Sequence, residues 1–226
     1  MIRPNGIHHL AISTADMKTQ LEFFGDVLGM ELVALYWMHG VEGARHGFMK
    51  ANDRCYVAFV HMEAIAKIDI EIGKTHSGSG GLPSAPGTMQ HVAFNVETEE
   101  ELLALRDRIR SRGVNVFGPL DHGFCKSIYF AGPEQLTLEI ATSEAPIDAN
   151  AWIDPEVVSL TGLSTEDVTR LRNPHPFPRP ASPLKQPPAD PAKPHMHMPL
   201  ERYAALLGST DEEFGALSMP EPPVKQ

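Results

Sequence analysis

The sequence predicts an α+β protein in which two tandem βαβββ modules form a U-shaped mixed sheet, followed by a Pro-rich C-terminal extension. Three observations support this prediction: two stretches of similar pattern, a Gly/Ser/Pro-rich segment between them, and a sharp rise in proline content after residue 145. The predicted parts are a first module at 5–73, a linker at 74–88, a second module at 89–145 and the extension at 146–226.

The two modules show the same order of elements. Each opens with a His-containing strand, GIHHLAIS in the first module and MQHVAFNV in the second. A segment with apolar residues at helical spacing follows and stops at a glycine, Gly29 or Gly113, as expected just past a helix end. Three strand-like segments then complete each module: MELVALYW, RHGFMK and RCYVAFVHM in the first; VNVF, CKSIYFA and QLTLEIAT in the second.

The C-terminal extension is unsuited to a core of its own. Of the 20 prolines, 15 lie at or beyond Pro146, and ten of these fall between Pro174 and Pro199. Proline fixes φ and lacks a backbone donor, so this stretch is expected to be extended rather than helical. Short helices are predicted at 155–171 and from Glu201 onward, and the packed core is expected to come mainly from residues 1–145.

Composition excludes several classes of partner. The formal net charge of −10 argues against nucleic acid and against anionic membrane surfaces, which attract clustered Lys and Arg. No apolar run approaches the roughly 18 residues of a membrane span, and the N-terminus lacks the apolar stretch of a secretory signal. The two cysteines, Cys55 and Cys125, are expected to be reduced thiols, so we predict a cytoplasmic protein.

Three strands each carry one potential metal ligand among small residues. Side chains alternate across a strand, so His9, His91 and Glu139 each share a face with residues such as alanine, while the opposite faces are apolar. A buried glutamate costs several kcal/mol unless it is paired or bound to a metal. Two imidazoles and one carboxylate form the facial triad of non-haem iron enzymes. We therefore predict that the U-shaped sheet surrounds one metal site. This site is expected to hold Fe(II), or alternatively divalent Mn, Zn, Ni or Co.

The paired modules resemble the vicinal oxygen chelate superfamily, which includes glyoxalases, bleomycin resistance proteins and extradiol dioxygenases, over roughly residues 5–143. In that superfamily the last strand of the second module carries the carboxylate ligand, which is the place of Glu139. The motif SIYF at 127–130, the Gly132-Pro133 turn and EIAT at 139–142 are similar to the hydroquinone-type ring-cleaving dioxygenases. The histidine doublet His8-His9 near the N-terminus is also similar to that subgroup.

This narrower resemblance implies catalytic roles for Tyr129, His122 and His8. Tyr129 could donate a proton to a bound substrate, or it could be a structural residue at the rim of the sheet. His122 stands where the subgroup often has arginine, and histidine can act as acid or base near neutral pH. Gln90 stands where the subgroup tends to have a histidine. In a regular strand His8 points away from the ligand face, so it reaches the site only if the strand start is bent.

Other histidines have less defined roles. His61 ends the last strand of the first module, where it could line a shared cavity or be solvated. The tract His195-Met196-His197-Met198 alternates imidazole and thioether groups that can attract copper, but it lies in the Pro-rich extension, where an exposed tract is the simpler interpretation.

The sequence favours an Fe(II)-dependent, extradiol-type ring-cleaving dioxygenase that takes a small catechol- or hydroquinone-like aromatic and dioxygen, as a homodimer or higher homo-oligomer. One alternative is a non-redox metal-dependent isomerase, epimerase or lyase of the same fold. A second is a metal-free ligand-binding protein of the resistance type. One fold can host all three, so metal identity and substrate stay open at this point.

Overall fold

The computed structural model describes residues 2–190 and 192–224. One compact unit spans Pro4–Arg172, and a second contains residues 2–3 together with the described residues from 173 onward. The first unit holds every strand of the two modules.

The first module follows the predicted βαβββ order. It consists of β1 (His9–Ser13), α1 (Met17–Glu22) with a π-helical continuation over Phe23–Val27, β2 (Glu31–Trp37), β3 (Arg45–Asn52) and β4 (Cys55–His61). The side chain of Asp16 caps α1 by accepting from the Thr19 amide, and Gly29 follows the helix with φ +81°. The sheet order is β1-β4-β3-β2, in which β1 and β4 are parallel and the other pairs antiparallel.

The second module repeats this arrangement. It consists of β5 (Val92–Val96), α2 (Glu99–Ser111), β6 (Val116–Asp121), β7 (Lys126–Ala131) and β8 (Thr137–Thr142), with sheet order β5-β8-β7-β6. A capping box joins Thr98 and Glu101 at the start of α2, and Gly113 with φ +80° follows its end. The predicted fold class of two tandem βαβββ modules is thereby confirmed. The described strands pair as two four-stranded mixed sheets, one for each module, where a single U-shaped sheet was predicted.

A single hydrophobic core joins the two modules. The ring of Phe24 lies 4.9 Å from that of Phe59 in its own module and 6.2 Å from that of Phe94 in the other. Other core residues that are almost fully buried are Met49, Leu102, Ile109, Ile128 and Leu138. The core therefore covers one face of each sheet, and the opposite faces carry the predicted ligand residues.

Glu134 of the second module binds the N-terminus of α1. Its Oε1 accepts from the amide of Ala15 at 2.7 Å and from that of Asp16 at 3.3 Å, and its Oε2 accepts from Nε2 of the buried Gln20 at 2.8 Å. A carboxylate at this end of a helix complements the helix dipole. Burial alone would raise the pKa of Glu134, but these hydrogen bonds and one from Thr14 outweigh burial and lower it.

We expect Glu134→Gln to weaken the acid sensitivity of folding. Because the folded-state pKa of Glu134 lies below its ordinary value of 4.5, the ionised carboxylate stabilises the fold above pH 4.5, and this contribution is lost as pH falls through the lower folded pKa. Urea denaturation of both proteins between pH 7 and pH 3 checks this. The wild-type protein should lose more stability over that interval than the variant; parallel curves would contradict the assignment.

Arg108 of α2 binds the opposite end of the first helix. Its Nε donates to the carbonyl of Val27 at 3.0 Å, and its Nη2 donates to those of Asp26 at 3.0 Å and Gly25 at 3.4 Å. These carbonyls lie at the helix C-terminus, where intrahelical partners run out and a cation is favoured. The second module therefore supplies an anion to one end of this helix and a cation to the other.

Arg108→Met should lower the free energy of unfolding by about 1 kcal/mol, since the guanidinium is partly solvated and each charged hydrogen bond is screened. Thermal unfolding should show this as a fall in Tm of roughly 2–4 °C. Arg106→Met is the matched control, because the described contacts of Arg106 are with the neighbouring Asp107. Equal Tm values for the two variants would show that Arg108 does not join the modules.

The extension divides between the two compact units. Three short helices belong to the first unit: α3 (Ala149–Trp152), α4 (Pro155–Leu160) and α5 (Thr165–Arg172). The helix predicted at 155–171 is thus two helices, interrupted near Gly162 with φ +77°. The second unit holds α6 (Leu200–Gly208) and α7 (Asp211–Ala216), and the described residues of 173–199 contain no helix or strand.

Cys55 and Cys125 are free thiols, as predicted. Among the described residues, no helix has the length and apolar character needed to cross a membrane.

Candidate functional site

Strand pairing places four side chains in a row on the open face of the second sheet. The register aligns Ala93 with Glu139, Glu139 with Tyr129, and Tyr129 with Phe117. Residues paired in register point to the same face of a sheet, so Glu139 and Tyr129 are direct neighbours. Glu139 is only 6% exposed although it lies on this face. A carboxylate held so deeply requires polar partners.

A continuous series of hydrogen bonds supplies those partners. His122 Nε2 lies 2.9 Å from the Tyr129 hydroxyl, which donates to Glu139 Oε1 at 3.0 Å, and Glu139 Oε2 lies 2.8 Å from His91 Nε2. Because the phenol gives its one proton to the carboxylate, it must accept its other hydrogen bond from an N–H of His122. Four predicted site residues are therefore linked in a single network.

Gln90 fixes which nitrogen of His91 carries a proton. Its Nε2 donates to the carbonyls of Ser79 at 3.0 Å and Leu82 at 3.5 Å, so its Oε1 is the atom that faces His91 Nδ1. An amide oxygen only accepts, and Nδ1 must therefore be protonated. In the neutral ring this leaves a lone pair on Nε2, directed at the carboxylate of Glu139.

The His91–Glu139 pair is suited to a divalent cation. Two acceptor atoms 2.8 Å apart repel each other unless a proton or a metal ion lies between them. Two adjacent ligands of one ion, each at about 2.1 Å, are about 3 Å apart, which is close to the observed separation. An imidazole with a carboxylate is also the donor chemistry that such ions bind in proteins.

His9 is not part of this group within one chain. Its Nδ1 lies 3.0 Å from His8 Nδ1, and its ring packs 5.6 Å from that of Phe48 on the open face of the first sheet. The described residues contain no set of three or more His, Cys, Asp or Glu side chains able to hold a metal ion together. The structure thus joins two of the three predicted ligands and places the third on the other module.

The remaining predicted histidines have separate surroundings. The ring of His8 lies 5.5 Å from that of Tyr56, which groups it with the first module. His61 Nδ1 donates to the Thr14 carbonyl at 3.1 Å, which makes it a strand-end residue. His195 Nδ1 lies 3.0 Å from the Lys193 carbonyl, within the second compact unit.

A cavity of about 480 Å³ lies beside the hydrogen-bonded network. His91, His122 and Tyr129 line it on the polar side. Its apolar wall includes Phe117, Leu120 and Leu136, and the Gly78–Gly81 segment closes another side. The volume falls in the range of small-molecule sites. Burial raises the pKa of Tyr129, and the hydrogen bond to Glu139 and the charge of Glu139 act in the same direction, so the phenol is protonated at neutral pH.

The sequence did not predict that the Gly78–Gly81 segment lines the cavity, because this segment was expected to be part of a linker. Its Gly/Ser composition indicates a loop, and binding residues are often carried by loops, but composition does not show which cavity a loop faces. Gln90 stood out only as a departure from the resembled subgroup.

The turn that carries His122 is packed by the C-terminal extension. The Phe124 ring lies 4.9 Å from that of Trp152 in α3. Gly123 has φ +82°, and a Cβ at this position would lie 2.8 Å from Trp152, so the close approach requires glycine. The first part of the extension is therefore a structural support of the site and not a loose tail.

Comparison with known proteins identifies related chains. The family model described as Glyoxalase/Bleomycin resistance protein/Dioxygenase superfamily matches residues 6–140. A curated relative, biphenyl-2,3-diol 1,2-dioxygenase 2 of Rhodococcus globerulus, is 22% identical over 151 residues, which cover 65% of this chain and 68% of the relative.

Solved structures give similar matches. A glyoxylase/bleomycin resistance protein/dioxygenase domain from Frankia sp. EAN1pec aligns at 12% identity with a TM-score of 0.49, covering 63% of this chain and 100% of that domain. A glyoxalase family protein from Enterococcus faecalis aligns at 21% identity with a TM-score of 0.45, covering 61% of this chain and 97% of that protein.

Proposed function

Because the chain belongs to the glyoxalase/bleomycin resistance protein/dioxygenase superfamily, we propose that it is an Fe(II)-dependent ring-cleaving dioxygenase acting on a catechol- or hydroquinone-like aromatic. The observation that carries this proposal is the linked series His91–Glu139–Tyr129–His122 beside an apolar-walled cavity. It combines metal-ligand chemistry, proton-transfer groups and space for a ring. The distant dioxygenase relative, whose name specifies a biphenyl-2,3-diol, supports the same substrate class.

His91 and Glu139 would hold the metal, with His9 as the third protein ligand. Bound Fe(II) would supply open coordination positions and redox chemistry. His9 is exposed on the open face of the first sheet, so in this proposal it reaches the pair from a second copy of the chain.

Mixing His9→Ala and Glu139→Ala proteins would then restore part of the activity that each has lost, because one mixed site keeps all three ligands. No recovery would contradict ligand sharing.

The chain's own residues would bind the ring and move protons. Phe117, Leu120 and Leu136 would pack against the faces and edges of the aromatic ring. Tyr129, protonated at neutral pH, can donate to an oxygen of the substrate, and His122 can return a proton to Tyr129 through their hydrogen bond. An imidazole ring has one nitrogen that can donate a proton and one that can accept a proton, which suits this role.

A metal-free ligand-binding protein is the second candidate. It is favoured by one specific observation: Glu139 is already satisfied by His91 and Tyr129, so with His91 doubly protonated the site needs no metal. In that case the cavity would bind an aromatic compound and release it unchanged.

Metal analysis of anaerobically purified protein, followed by oxygen uptake on catechol, 2,3-dihydroxybiphenyl and hydroquinone, separates these functions. Bound iron with oxygen consumption and loss of the aromatic absorbance is the expected result. Stoichiometric Mn, Zn, Ni or Co without oxygen uptake would indicate a non-redox enzyme of this fold. Tight binding of an aromatic compound with no metal dependence would establish the ligand-binding alternative.

A further inference from the structure

We infer that Gln90 is a positioning residue that ties the glycine-rich wall of the cavity to the metal ligand His91. This inference rests on the proposed function, because it concerns how His91 is presented to a metal. Gln90 is not itself one of the cavity-lining residues, and it has no described hydrogen bond to Glu139. Its amide lies between two residues that do line the cavity, Ser79 and His91.

The NH₂ group and the oxygen of the Gln90 amide contact different partners. The NH₂ group donates to the carbonyl of Ser79 in the wall segment and to that of Leu82, the residue that follows the segment. This leaves the amide oxygen for His91 Nδ1, and the ring is therefore held with Nδ1–H toward Gln90 and Nε2 toward Glu139. Partners of this kind fix the tautomer and orientation of a metal-binding histidine and typically change metal affinity 10–100-fold.

The wall segment is also anchored to the backbone of Gln90, through Ser77, the residue just before the segment. The buried Ser77 hydroxyl donates to the backbone carbonyl of Gln90 at 2.6 Å. The next residue, Gly78, has φ +74°, and a Cβ there would lie 3.1 Å from a methyl of Ile72. Both the main chain and the side chain of Gln90 thus hold the wall in place.

Two substitutions separate orientation of His91 from anchoring of the wall. Gln90→Met keeps the length of the side chain but offers neither the strong acceptor nor the donors. Gln90→Glu loses the donors to Ser79 and Leu82 but retains an oxygen that accepts from His91 Nδ1. A residue that only anchors the wall would affect metal binding equally in both variants, because both lose the NH₂ group.

The experiment measures the Kd of the full chain for Co(II) alone by anaerobic titration, followed through the visible absorption of the bound ion. We expect Gln90→Met to bind about 10–100-fold more weakly than wild type and Gln90→Glu to bind within a few-fold of it. Thermal unfolding of each apo protein verifies folding, and Gln90→Leu replaces Gln90→Met if the latter does not fold.

Two results would overturn the inference while leaving the proposed function intact. Wild-type affinity in the Met or Leu variant would show that His91 does not need this partner. Equal weakening in the Glu and Met variants would assign Gln90 to the wall alone. A wild-type protein that binds no metal would overturn the proposed function itself, and the role of Gln90 with it.

Discussion

Replacing Glu139 with alanine is expected to abolish the proposed metal binding and the proposed ring cleavage together. Glu139 is the only carboxylate in the network described above, and it faces His91 Nε2 at 2.8 Å. Without it, a single imidazole remains from this module, which is too few protein ligands to retain a divalent ion against dialysis. The fold should be largely kept, because the substitution also removes a charge that is 6% exposed.

Metal content after dialysis, measured beside circular dichroism and thermal unfolding, checks this expectation. Glu144→Gln is the matched control, since it removes an exposed carboxylate five residues further along the same chain segment. It should keep metal and activity. A Glu139→Ala protein that retains wild-type metal content would eliminate the site proposed here, and the metal-free function would then be favoured.

Tyr129→Phe should lower turnover by about 10²-fold or more in protein that is saturated with metal. The phenol is not one of the proposed ligands, so its removal leaves His91 and Glu139 in place. It is, however, the group that connects His122 to Glu139 and faces the cavity. Loss of a positioned proton donor typically costs 10²–10⁴-fold.

Steady-state kinetics of the iron-loaded protein test this expectation. Tyr203→Phe is the control, because Tyr203 belongs to α6 of the second compact unit, whereas Tyr129 and the proposed ligands belong to the first. The Tyr203 variant should turn over normally. If Tyr129→Phe has unchanged kcat, Tyr129 is a structural residue of the sheet rim, which was the alternative that the sequence left open.

Several features of the site could be predicted because they depend on strand alternation. Alternation places Glu139 opposite the apolar face of β8, and the structure has it there, adjacent to Tyr129. The resemblance implied separate catalytic roles for His122 and Tyr129, and the structure places His122 Nε2 2.9 Å from the Tyr129 hydroxyl. His61 could not be assigned from the sequence, because a strand end faces either solvent or a cavity depending on what packs beside it.

The sequence by itself determined the duplicated modules, their helix ends at Gly29 and Gly113, and the faces of β1 and β8 on which His9 and Glu139 lie. These features follow from local periodicity and from backbone conformations that few residues adopt. Only the tertiary structure decided which ligands meet. His91 and Glu139 meet because β5 and β8 are neighbours in one sheet, whereas His9 lies on another sheet. Contacts between distant segments depend on sheet pairing and packing, and local sequence patterns do not encode those distances.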